Sequence, residues 1–256
     1  MDVIHKEVYK GYTIKIHTDE DAMNPREDCD ELGTMVAFHK RYTLGDKHDL
    51  KADDYAGWDE MEEHIRKNLG AIIVLPLGLY DHSGITMYVG SGPGVGDSAG
   101  WDSGQVGFYY LTKAKFTKEY GKVTKRNLAT AERVMRSEIE TYDHYLRGDV
   151  YGYTITDPNG EDGDSCWGFI GYYDDKDYGA LKEAKSAVDY ELKNNKEYVV
   201  VVESSIALTV RAKDEAAAND IATGIVKGRL DSDSAIIRSV ESKGVHCDWK
   251  PKAKEK

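Results

Sequence analysis

Residues 79–110 read LYDHSGITMYVGSGPGVGDSAGWDSGQVGFYY. Two turns, Asp81-His82-Ser83-Gly84 and Trp101-Asp102-Ser103-Gly104, interrupt runs rich in β-branched and aromatic residues. Such runs between Gly/Asp/Ser clusters read as strands, and short polar turns favour antiparallel neighbours. The loop GSGPGVGDSAG between them lacks the Lys-Ser/Thr of a phosphate loop and opens no helix. Before this stretch lies AIIVLPLGLY (71–80), the most apolar run of the chain, read as a buried strand broken at Pro76. After it, QVGFYYLTKAKF (105–116) reads as one further strand.

Outward from this centre the periods alternate between two and 3.6. EVYKGYTIKIH (7–17) alternates as a half-buried strand or hairpin arm, and TMVAFHKRY (34–42) as a second strand. Residues 53–69 space Trp58, Met61, Ile65 and Leu69 as a helix ended by Gly70. Residues 124–147 form the clearest helix, with Thr124 as N-cap and Gly148 as its end. On it Arg136, Glu140 and His144 share a row that reads as exposed ion pairs. VYGYTIT and SCWGFIGYY are strands around the turn Asp157-Pro158-Asn159-Gly160. A helix over YGALKEAKSAVDYELKNN, a β-rich EYVVVVESSIALTVRA divided near 203–205, a helix over DEAAANDIATGIVKGRL and a closing strand or hairpin follow. The fold class is therefore α+β: a mainly antiparallel sheet body with two to three packed helices, then a small α+β C-terminal module. The expected division is 1–175 for the body, 176–250 for the module and 251–256 for a disordered tail.

Composition narrows the function classes. The chain has 256 residues and a net charge of −12, with 18 Tyr against 4 Phe. The acid is concentrated: 15 acidic against 8 basic side chains in residues 1–60, and 8 against 1 in 149–178. That opposes a nucleic-acid-binding surface, since phosphate contacts need Lys and Arg. No apolar run approaches a membrane span and no secretory leader is expected. Cys29, Cys166 and Cys247 are odd in number and widely spaced, neither a disulfide framework nor a zinc motif, so a reduced, cytoplasmic protein is expected.

Candidate chemistry is sparse. Asp81, His82, Ser83, Trp101, Asp102 and Ser103 form two turn-displayed polar clusters, with Trp167 as a third piece and a binding role for all. Cys166, in DSCWGF, with His82 and Asp102 is a conceivable Cys-His-Asp arrangement, although a free Cys is commonly a small buried hydrophobe. The acidic loop 17–33 places seven carboxylates in 19–31. Asp19, Asp21, Asp28 and Asp30 are oxygen donors for a hard cation, but without EF-hand spacing. Pro25 disfavours helix at Asn24. No cofactor is expected.

The phrases NPREDCDELGTMVAFHKRYTLGD, LYDHSGITM, GWDSGQVGFYY, SEIETYDHYLRGDVYGY and DSCWGFIG occur in one order across residues 1–173. That set resembles a family of uncharacterised proteins of bacteriophages and other mobile elements. Where the family carries Cys and Pro ahead of WDSGQVGF, this chain has GSGPGVGDSAG. The resemblance implies a phage protein at work in the host cytoplasm. With the acidic surface and the Tyr/Trp-rich turns, the expected function is non-enzymatic. The protein would inhibit a host defence or nucleic-acid-handling complex by protein contact, as a DNA mimic in one version, with no direct nucleic acid and no membrane. The alternative is an enzyme or small-ligand binder whose site unites the DHSG, WDSG and DSCWG turns.

Overall fold

The computed structural model describes residues 2–94, 97, 99–194, 196–202, 206–226 and 236–240. The chain divides into two units, the first comprising 1–8 and 13–183, the second 9–12 and 184–256. The α+β class holds, with antiparallel sheets and helices in both units.

Strand β1 (Val3–Tyr9) leads into β2 (Tyr12–Thr18). Lys10 and Gly11 have φ of 51° and 90°, the left-handed pair a two-residue hairpin turn requires. A short helix α1 (Pro25–Asp28) follows, capped by Asn24, whose side chain accepts from Arg26 N. The proline that disfavours helix at Asn24 starts one at its own position, because its missing N–H is an orphan at N1 anyway. Strand β3 (Thr34–Ala37) is shorter than the sequence suggests. After a 3-10 turn at Ala52–Asp54 comes helix α2 (Trp58–Lys67).

Strand β4 (Ala71–Asp81) turns through 82–84 into β5 (Ile85–Val89), and β6 (Ser103–Thr112) pairs on its other side, giving the order β3-β6-β4-β5. β4 is unbroken at Pro76. The Pro76 carbonyl accepts from Gly90 N at 2.9 Å, so its missing N–H also faces the β5 side. There the paired β5 register ends at Leu77↔Val89, so the missing N–H falls at the end of the ladder rather than within it. The long apolar run is explained by cover on both faces. Ile73, Leu75, Leu77 and Leu79 pack with Tyr109 and Leu111 against the long helix α4 (Lys125–Arg147) through Ala131, Met135, Ile139 and Tyr142. Val74 and Phe108 pack on the opposite face against Met61 and Ile65 of α2.

Two corrections fall between β6 and α4. The strand expected over 105–116 stops at Thr112. That hydroxyl caps a helix, α3 (Lys113–Tyr120), by accepting from Lys115 N at 3.2 Å, and Phe116 enters the main core. On α4, Arg136 pairs with Glu132 at 2.7 Å rather than with Glu140. His144 is buried, not part of an exposed row, and its Nδ1 lies 3.0 Å from Asp149 Oδ2. The second sheet, β1-β2-β7-β8, adds β7 (Val150–Thr156) and β8 (Asp162–Ile170). β8 begins four residues before Cys166, so that cysteine is inside a strand rather than at its entry.

Helix α5 (Ala180–Asn194) buries Ala184 and Val188, whereas Leu192 is exposed. In the second unit, β9 (Lys196–Val202), β10 (Ile206–Ala212) and β11 (Ile236–Val240) form an antiparallel sheet ordered β11-β10-β9. Helix α6 (Glu215–Val226) lies against β10 and β9. The expected division of β9 from β10 near 203–205, Cys247 and the tail 251–256 lie outside the described residues. Among the described residues no helix is long and apolar enough to cross a membrane.

Candidate functional site

The DHSG and WDSG turns meet at one end of the β4–β6 pair. Asp81 N donates to Asp102 O at 2.8 Å, and His82 Nδ1 lies 3.0 Å from Asp102 Oδ2. Tyr80 stacks on the His82 ring at 6.1 Å. Ser83 has φ of 58°, one of two non-glycine residues with positive φ among the described residues, so the hairpin tip is tight.

Asp97 organises the second turn. Its carboxylate accepts from Trp101 N at 3.1 Å, Asp102 N at 2.9 Å and Ser103 Oγ at 2.7 Å. The Ser103 hydroxyl holds the Asp97 carboxyl below its ordinary range, with the backbone amides aiding and burial opposing. A carboxylate with three donors is locked as an anion. The turn it fixes displays Trp101 at 87% exposure. Sequence inspection misses Asp97, because it reads there as one polar residue in a glycine-rich loop.

The strand end before the loop 38–44 supplies the other wall. Asp81 pairs with Arg41 and lies 3.4 Å from His39 Nε2. His39 Nδ1 accepts from Arg41 N at 3.2 Å, which places the ring proton on Nε2, toward Asp81. His39, Arg41, Asp81, Trp101, Asp102 and Ser103 border an open depression of about 400 Å³.

The Ser103 hydroxyl is committed within the turn: it donates to Asp97 and accepts from Gly94 N at 3.0 Å. Cys166 is exposed in β8 of the other sheet, across from Tyr153, and its sulfur contacts Trp167 O at 3.9 Å. Of the Cys166, His82 and Asp102 set, His82 and Asp102 pair on the β4–β6 sheet, whereas Cys166 belongs to the β7–β8 ladder. The depression beside the DHSG and WDSG turns has no DSCWG residue on its wall, and Trp167 borders a different cavity.

Trp167 is placed by a bulge. Between Tyr151↔Phe169 and Tyr153↔Cys166, Trp167 and Gly168 together face Gly152, and Gly168 takes φ of 85°. The extra residue re-aims the indole over Gly152, where a Cβ would meet the ring at 2.1 Å.

The acidic loop does not assemble its carboxylates. Asp19 accepts Asp21 N at 3.2 Å and Gly168 N at 3.1 Å. Asp19 and Asp21 border one cavity, beside Trp167, and Asp30 another, beside Lys115 and Lys118. Asp28 closes α1, and its side chain lies outside the described set. Among the described residues no group of three or more His, Cys, Asp or Glu is placed to hold a metal ion.

A buried polar network was not legible in the sequence at all. Arg26, with 2% of its side chain exposed, donates Nε and Nη2 to Asp46 at 2.8 and 2.6 Å. Burial opposes its charge, but Asp46 and Tyr109 overcome that and raise its pKa further. Tyr109 donates to Glu138 and accepts Gly33 N at 2.9 Å. Burial, with the Glu138 carboxyl beside it, pushes the Glu31 carboxyl up to about 7. Glu31 and Glu138 are both on the wall of the Lys115 cavity, but the hydrogen bonds of Glu138 run inward, to Tyr109 and to Leu32 N.

No family model, curated protein or solved structure matches the chain.

Proposed function

We propose that this is a binding protein that acts through protein–protein contact at the DHSG/WDSG face. The observation that carries the reading is Trp101: a large aromatic side chain left almost entirely in water, on a turn that Asp97 holds with three hydrogen bonds. Leaving an indole exposed forgoes its burial energy, and a rigid exposed aromatic beside an Arg suits an interface anchor because little side-chain entropy is lost on binding. Arg41, Asp81, His82 and Asp102 around it supply the polar rim.

The resemblance to bacteriophage proteins points to a partner in the host cytoplasm, a defence or nucleic-acid-handling complex whose activity this chain blocks. The acidic segments favour a basic partner by electrostatic steering, and imitation of DNA charge is the stronger form of that idea.

The test is affinity capture from bacterial host cells with the wild-type chain and with Trp101→Ala. Enrichment of such a complex by the wild type, lost with the variant, is the expected result. Equal recovery by both chains removes this face from consideration, and recovery of no defence or nucleic-acid-handling protein removes the partner class.

A further inference from the structure

The first turn of the acidic loop walls a second cavity, of about 420 Å³, away from the Trp101 face. That size falls within the roughly 300–1,000 Å³ typical of small-ligand pockets. Its lining is mostly apolar, from Met23, Pro25, Val150, Trp167 and Ile170. The indole of Trp167 packs over Gly152 and against the His17 ring at 5.6 Å. It is nonetheless 36% exposed.

Charge at this cavity has one sign. Asp19 and Asp21 border it, and no Lys or Arg does among the described residues. Asp19 is occupied in holding the bulge through Gly168 N, whereas Asp21 is exposed to solvent. The surrounding segment 19–31 carries seven carboxylates, and its single basic residue, Arg26, is turned into the core against Asp46. An apolar cup with an indole and a purely acidic rim is complementary to a ligand with an apolar body and a positive head.

We propose that this cavity is a binding site for a small organic cation of the aryl- or alkylammonium class. The body would lie against Met23, Val150 and Ile170, and the ammonium group would reach Trp167 and Asp21. The site is independent of the protein-binding reading above, since it shares no residue with the Trp101 depression.

Cys29 gives a direct readout. It is exposed and lines the cavity, whereas Cys166, also exposed, does not. The full chain is alkylated with iodoacetamide in the presence of benzyltrimethylammonium, and modification of each cysteine is followed by mass spectrometry. Neopentylbenzene, the same shape without the charge, is the control. The charged probe is expected to slow Cys29 alkylation while leaving Cys166 unchanged, at concentrations about tenfold below those at which the neutral probe acts. Asp21→Asn is expected to weaken protection by about threefold or more, and Trp167→Leu to abolish it. Unchanged Cys29 reactivity at saturating probe overturns the proposal. So does equal protection by the neutral isostere, or an Asp21→Asn chain that protects as well as the wild type.

Discussion

Tyr109 and Glu138, 29 positions apart, meet across the main core: the phenol of β6 donates to the carboxylate of α4. The same oxygen accepts Gly33 N and Arg26 Nη1, so one hydroxyl ties the sheet, the long helix and the loop after α1. Tyr109→Phe leaves the Gly33 amide and one Arg26 donor unsatisfied in the interior. A loss of about 1–3 kcal/mol is expected, read as a lower urea midpoint with unchanged slope.

The Glu31 carboxyl makes stability depend on pH. Its ordinary value is 4.5, and burial beside Glu138 raises it to about 7 in the fold. Between these values the folded chain holds a proton that the unfolded chain has released. This contribution to stability is therefore complete below 4.5 and declines as pH rises through about 7. Glu31→Gln keeps the neutral form at every pH. Chemical denaturation from pH 4 to 8 should show a decline in the wild type that is shallower in the variant; parallel curves would remove Glu31 as its origin.

Asp97 and Trp101 should separate stability from display. Trp101→Ala removes a side chain that is 87% exposed and should alter stability by no more than about 0.5 kcal/mol. Asp97→Ala releases two backbone amides and the Ser103 hydroxyl together, with an expected cost of about 1–3 kcal/mol. Hydrogen exchange at the Trp101 and Asp102 amides should accelerate in that variant while exchange in α4 stays slow.

Gly107 is the tightest backbone approach in the sheet. A Cβ built there lies 1.9 Å from Val36 O, so Gly107→Ala forces β3 away from β6. An expected cost of about 3 kcal/mol should appear as a lower thermal midpoint. Gly104→Ala, where a Cβ meets nothing within 4 Å, is the matched control.

Much of the architecture was legible because it is written in local periods. Thr124, Gly148 and the apolar stripe of α4 are cap and spacing signals contained within 25 residues. The DHSG turn and the apolar run 71–80 likewise announce a hairpin and a strand covered on both faces. The errors were local conflicts decided elsewhere. Thr112 could continue a strand or cap a helix, and burial of Phe116 in the main core favours the helix. Pro76 reads as a break, but its missing N–H falls at the very end of the β5 ladder, where β4 tolerates it.

By itself the sequence determined the α+β class, the two polar turns and the concentration of acid, since each follows from residues close together in the chain. Only the tertiary structure decided what those residues do. It brought DHSG onto WDSG, because β4 and β6 pair antiparallel and carry their ends to one place. It put Cys166 on the other sheet, and used a bulge at Gly168 to turn Trp167 over Gly152. Strand order and a one-residue register shift are set by packing between distant segments. Residues 79–110 thus become a displayed tryptophan on a clamped turn, and the acidic loop the rim of an apolar cavity.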